Sequence, residues 1–126
     1  MESLVERTAK GEKIVLSVGH LEDYKNPRTW AELAQFACRQ MPDLLFVWAG
    51  GGTRYAELKE ALATNDRVIL AGRLNQQDLR RLYGASWVFF HPAIKESQGI
   101  VVMDALAQGL PVVLNASEAL PGLIAG

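Results

Sequence analysis

A single cysteine, Cys38, stands in the 126 residues of this chain, so no disulfide can form within it. Small secreted domains that lean on several disulfides are thereby excluded, and one cysteine suits a reducing, cytoplasmic setting. Histidine is nearly as scarce. His20 and His91 are the only two, and with Cys38 they do not fall at the spacing of a metal site, so no metal is expected. Asp-x-Asp pairs are absent as well. Charge of one sign is also missing: thirteen Lys and Arg against fourteen Asp and Glu leave a formal net charge of −1. The broad electrostatic footprint of a nucleic-acid binder is therefore lacking. No apolar run approaches the roughly 20 residues that span a bilayer, and the segment from Met1 to Arg7 lacks the hydrophobic centre of a signal peptide.

What is present is an ordinary globular balance, 49% hydrophobic and 21% charged. A chain of this length is one domain by expectation and buries roughly two-thirds of its unfolded surface. Residues 1–12 are charged and weakly patterned, and read as a leader or hinge remnant. The domain proper takes 13–126.

The rest of the chain is organised around one stretch, Lys95 to Gly109. Before it, Trp87-Val88-Phe89-Phe90-His91-Pro92 reads as a buried strand leaving its sheet at a proline. After Gly99 the apolar residues Ile100, Met103 and Ala107 follow helical spacing until Gly109 stops the helix, and Leu110-Pro111-Val112-Val113-Leu114 is the next strand. Earlier in the chain the same alternation repeats. Lys13 to Val18 is a β-branched run stopped by Gly19. A polar loop follows, then Asn26 as a cap and Pro27 in the first position of a helix to about Gln40, with Trp30, Leu33, Ala34 and Ala37 inward. Leu44 to Ala49 is a second strand running into Gly50-Gly51-Gly52, and Thr53 caps a second helix that ends near residues 64–66. Arg67 to Gly72 is a third strand, and Asn75-Gln76-Gln77-Asp78 resembles a capping box that opens a helix through Leu79, Leu82 and Tyr83.

Strands alternating with helices over short loops define βαβ units with right-handed crossovers. The expected fold is α/β, a Rossmann-like doubly wound parallel sheet of about five strands in the order 3-2-1-4-5. That order reverses between the first and fourth strands, where ligands bind at the strands' carboxyl ends. Two loops meet there, Gly19 to Lys25 and His91 to Gly99. They oppose His20 and Lys25 to Glu96, Ser97, Gln98, Gly99 and Asp104. Lys25 offers a point charge, the first-turn amides of the helix offer directional donors to an anion, and the carboxylates accept protons from sugar hydroxyls. A nucleotide diphosphate-sugar carries both kinds of group.

The blocks Val18-Gly19-His20-Leu21 with Lys25-Asn26, Ala49 to Gly52, Ala71-Gly72-Arg73-Leu74, Leu82 to Ser86, and Glu96 to Gly109 with Leu110-Pro111-Val112-Val113 carry a resemblance. In this order they resemble the C-terminal, nucleotide-binding domain of retaining GT-B glycosyltransferases of family 4, once called group 1. The Glu-x7-Glu element of that family stands here as Glu96 and Asp104. The resemblance implies that Glu96 contacts hydroxyls of the transferred sugar, that Asp104 holds the ribose, and that backbone N–H groups of Gln98, Gly99 and Ile100 meet the diphosphate, beside Ser97. It further implies that Lys25 and His20, next to Gly19, neutralise the leaving diphosphate, and that backbone around Arg73 and Leu74 edges the base. Lys25 and Glu96 are the catalytic candidates. Neither a metal nor a separate cofactor is implied; the donor is a UDP-, GDP- or ADP-sugar.

The family pattern is not met everywhere. Asp104 is one methylene shorter than the usual glutamate. His20 stands where arginine is usual, replacing a permanent phosphate clamp by a titratable group with an ordinary pKa of about 6.5. The resemblance also implies a partner domain, N-terminal and acceptor-binding, that this chain lacks, and a sixth strand beyond the fifth. Taken alone the chain is expected to bind donor without transferring it, and to self-associate through an exposed sheet edge. The rival reading is a non-catalytic doubly wound binding or protein-interaction module. Gly50-Gly51-Gly52 is not a dinucleotide fingerprint, since it follows the second strand and Tyr55 takes the third glycine's place. Trp30, Trp48 and Trp87 read as packing residues, and His91 either reaches the crevice or caps the sheet.

Overall fold

Every position of residues 44–49 is apolar because both faces of this strand are covered. In the computed structural model, which describes residues 2–92 and 100–114, side chains alternate along it between two cores. Leu44, Phe46 and Trp48 enter one core with Trp30, Ala34 and Leu58, while Leu45, Val47 and Ala49 enter another with Leu82, Phe89 and Ala105. The two-residue period of a strand sorts a continuous apolar run into two layers.

The elements in chain order are α1 (Glu2–Ala9), β1 (Lys13–Val18), α2 (Pro27–Gln40), β2 (Leu44–Ala49), α3 (Tyr55–Ala61), β3 (Val68–Gly72), α4 (Gln76–Ala85), β4 (Ser86–His91), α5 (Ile100–Ala107) and β5 (Val112–Leu114). One 3₁₀ turn, Asp23–Lys25, precedes α2. All strand pairs are parallel and the sheet order is β3-β2-β1-β4-β5. The fold is the α/β doubly wound, Rossmann-like sheet that the alternation of runs implies. Residues of α2 and α3 fill the first core, and residues of α1, α4 and α5 the second.

Several local expectations are corrected. Residues 2–9, read as part of a leader, form α1, and Leu4 is buried in the second core. Arg7 fastens its end, pairing with Glu12 at 2.7 Å and donating to the Asp66 carbonyl at 2.9 Å. Leu33 does not join the inward stripe of α2, which is made by Trp30, Ala31, Ala34 and Cys38; Leu33 is exposed. Thr53 does not cap α3. Arg54 holds that position, and Thr53 donates both its N–H and its hydroxyl to Glu22. The third helix ends at Ala61, ahead of residues 64–66. Asn75 caps α4 as expected, its side-chain oxygen accepting from Asp78 N–H at 2.8 Å. Trp87 is half exposed instead of packed in a core, because it sits at the open start of β4, where Lys13 Nζ lies 5.5 Å from its ring centre.

Candidate functional site

Beyond the pairing of Leu16 with Phe89, β1 and β4 part. Side-chain hydrogen bonds span the gap. Buried Ser17 Oγ donates to the Phe90 carbonyl at 2.6 Å, and Asn26 Nδ2 donates to the Pro92 carbonyl at 3.2 Å. Asn26 is therefore a different kind of cap from the one its residue type suggests. It occupies the N-cap of α2 with φ 60°, the left-handed region that asparagine tolerates, and its side chain makes no capping bond.

On the other side the loop after β1 leans onto β2. Gly19 N–H donates to Ala49 at 3.1 Å, and Trp48 Nε1, inside the first core, donates to the Gly19 carbonyl at 2.9 Å. Leu21 N–H continues the contact to Gly51 at 2.9 Å. The approach is so close that a methyl group on Gly50 would lie 1.9 Å from the Gly19 carbonyl oxygen, so only glycine fits there. The 3₁₀ turn then brings the chain back and lays Lys25 against Gly19: a Cβ on that glycine would be 3.4 Å from Lys25 Cε and 3.8 Å from Nζ. Lys25 is only 4% exposed. Across the cleft, the Arg73 side chain follows Gly51, whose hypothetical Cβ would lie 3.1 Å from Arg73 Nε.

These segments enclose a cleft of about 420 Å³ at the carboxyl ends of β1, β2 and β3. Its apolar wall is Val18, Ala49, Leu74 and Leu79, its close-approach backbone Gly19, Gly50 and Gly51, and its charged or titratable side chains Lys25, Arg73 and His20. Among the described residues no carboxylate lines it. An apolar wall with convergent cations suits a flat, partly apolar ligand that carries negative charge.

Five residues singled out from the sequence, Gly19, His20, Lys25, Arg73 and Leu74, thus share one cleft although up to 55 positions separate them. Glu96, Ser97, Gln98 and Gly99 lie outside the described residues, and Ile100 opens α5. Asp104 lies on α5, exposed and outside the lining of the cleft. Its charge reaches α4: burial, and secondarily the Asp104 carboxylate, push the Tyr83 phenol up to about 12. His91 is 2% exposed beneath the crevice, with its ring 6.3 Å from Phe89. Among the described residues no group of three or more His, Cys, Asp or Glu is placed to hold a metal ion, and no helix is long and apolar enough to cross a membrane. Sequence reasoning missed Gly50, Gly51 and Leu79. The signal for the glycines was available, since a glycine run at the carboxyl end of a strand beside β1 sits where loops crowd.

A parallel sheet of this order, with a cleft at the carboxyl ends of β1, β2 and β3 on one side of the switch between β1 and β4, defines a Rossmann-like domain. Residues 3–125 match the family model described as glycosyl transferases group 1, and the chain belongs to that family. Over 111 residues it is 30% identical to sulfoquinovosyl transferase of Arabidopsis thaliana, covering 88% of this chain and 21% of that protein. It is 32% identical to processive diacylglycerol alpha-glucosyltransferase of Acholeplasma laidlawii over 109 residues, 82% of this chain and 31% of that one. The chain therefore spans about a fifth to a third of these relatives. Its fold also matches the crystal structure of the C-terminal domain of a group 1 glycosyl transferase from Francisella tularensis, with a TM-score of 0.74 at 18% identity, covering 94% of this chain and 66% of that one. The domain is of the C-terminal type found in GT-B glycosyltransferases.

Proposed function

We propose that this domain binds a nucleotide diphosphate-sugar as the donor half of a retaining glycosyltransferase, for transfer to an acceptor held by an N-terminal domain. The observation that carries the reading is the cleft itself: Lys25, Arg73 and His20 converge there on an apolar wall with no carboxylate among the described lining. In this reading the diphosphate lies against Lys25 and His20, and the base rests between Leu74, Arg73 and the glycine backbone of residues 50–51. The sugar and ribose point toward the segment of Glu96 to Asp104, where Glu96 takes the sugar hydroxyls, Ser97 and the amides of Gln98 to Ile100 take the diphosphate from its other side, and Asp104 takes the ribose. Lys25 stabilises the charge that develops on the leaving diphosphate, which is the main chemical service of this half of the enzyme.

The buried position of Lys25 favours this role over that of a solvated surface lysine. An ammonium held out of bulk water attracts an anion more strongly than an exposed one. Calorimetric titration with UDP, GDP, ADP and their sugars tests the reading. One nucleotide class binds, and Lys25→Ala weakens it by roughly tenfold, the loss of one hydrogen bond to a charged group. An absence of heat with every nucleotide at millimolar concentration overturns it.

A further inference from the structure

The loop that carries Lys25 is held chiefly by its neighbour. Leu21 N–H donates to Gly51 at 2.9 Å, and Arg54 N–H returns a bond to the Leu21 carbonyl at 2.9 Å. Glu22 accepts from Thr53 N–H at 3.0 Å and from the Thr53 hydroxyl. Asp23 accepts two bonds from Arg54, Nε and one terminal nitrogen, both at 2.8 Å. Residues 21–23 and 51–54 are thus interlocked by backbone and by side chain together. The interlock also sorts charge. Lys25 lines the basic cleft, whereas Asp23 lines a separate hollow of about 300 Å³ with Asn26, Arg28 and Arg54. Neither Glu22 nor Asp23 lines the cleft.

We propose that the segment joining β2 to α3 is a positioning clamp for Lys25, and that Thr53 and Arg54 act by seizing Glu22 and Asp23 and so fixing the turn that presents the lysine. Two carboxylates stand within three residues of Lys25, Asp23 on the same three-residue turn and Glu22 at its N-cap. Freed, that turn lets Lys25 leave the cleft and lets a carboxylate approach a bound anion; clamped, it does neither. Thr53 and Arg54 touch no ligand in this scheme and are positioning residues. The geometry stands by itself, and its effect on affinity rests on the donor-binding reading above.

The test pairs two measurements on the whole chain and its variants Thr53→Val, Thr53→Ser and Arg54→Ala. Amide hydrogen exchange reads the clamp without ligand. Thr53→Val and Arg54→Ala lose protection at Leu21 N–H and Arg54 N–H together, while Thr53→Ser, which keeps the hydroxyl, retains it. Calorimetry with UDP, GDP and ADP reads the consequence: the first and third variants weaken diphosphate binding by roughly tenfold, as expected when a catalytic group loses its position, and Thr53→Ser binds like wild type. Thermal midpoints stay close together, because exposed ion pairs contribute little to global stability. Unchanged protection at both amides overturns the clamp, as does full diphosphate affinity in Arg54→Ala. If wild type binds no nucleotide, the donor reading falls and hydrogen exchange alone decides the clamp.

Discussion

A methyl group has opposite consequences at two glycines of this chain. On Gly50 it would stand 1.9 Å from the Gly19 carbonyl oxygen, a backbone atom that cannot swing aside, at φ +142°. Gly50→Ala should destabilise the domain by about 3 kcal/mol. Gly84, in α4, has nothing within 4 Å of the same position. Gly84→Ala should stabilise by about 0.5 kcal/mol, since alanine loses less backbone freedom in a helix. Urea unfolding of the two variants beside wild type measures both. Tyr83 gives a third test. With its phenol pushed up to about 12 by burial and by Asp104, the folded state keeps a proton that the unfolded state releases near pH 10. Its contribution is therefore intact below pH 10 and is lost as pH rises toward 12. Tyr83→Phe should flatten the alkaline loss of stability, and in an absorbance titration one of the three tyrosines should ionise late. At this scale the sequence was readable where a residue type has one dominant use. Asn75 caps its helix and Trp30 and Trp48 fill the core. It misled at Leu33 and Trp87, because a leucine and an indole each serve buried or exposed roles and only the facing element decides between them; Asn26 holds the cap position as read, and only the partner of its side-chain amide was hidden.

The strands were legible as elements because burial on both faces demands apolar residues at consecutive positions, a pattern no surface helix shows. The first helix was not. Leu4 is the one buried side chain described in α1, and a single anchor makes no periodicity. That anchor is nonetheless structural. Leu4→Ala should lower stability by about 2–3 kcal/mol, with one cooperative transition by circular dichroism; separate melting of α1 would show it to be an independent segment. The junction after it has an acid dependence. Arg7, by hydrogen bond and charge, holds Glu12 below the usual carboxylate range. Its contribution is present above the ordinary glutamate pKa and is lost as pH falls through the lowered one. Glu12→Gln should therefore lose stability relative to wild type at pH 7, and the gap should close in acid.

Across the whole molecule the order of strands mattered more to the site than any single motif. Once β1 lies in the middle of the sheet, the loops after β1, β2 and β3 must meet, and His20, Lys25 and Arg73 reach one cleft from three different turns. The meeting of the loops after β1 and β4 was readable from the sequence through topology, and Arg73 beside Lys25 only through the family resemblance. The fit of Gly50 against Gly19 and the clamp on Glu22 and Asp23 were not, because they depend on ångström distances between loops and not on pattern. The same global view bears on association. Met103 and Leu106 on α5 and Val113 on β5 are each about half exposed, and sedimentation should show concentration-dependent self-association that Met103→Glu with Leu106→Glu reduces. Beyond the pairing of β1 with β4 and the Ser17–Phe90 bond, a third contact links the two halves of this sheet. Asn26 reaches from the start of α2 to the carbonyl of Pro92, a span of 66 positions in sequence, with Lys25 next to it in the chain. The separation of the start of α2 from the end of β4 is thus set like a strut between two walls, and the length of one side-chain amide is its gauge.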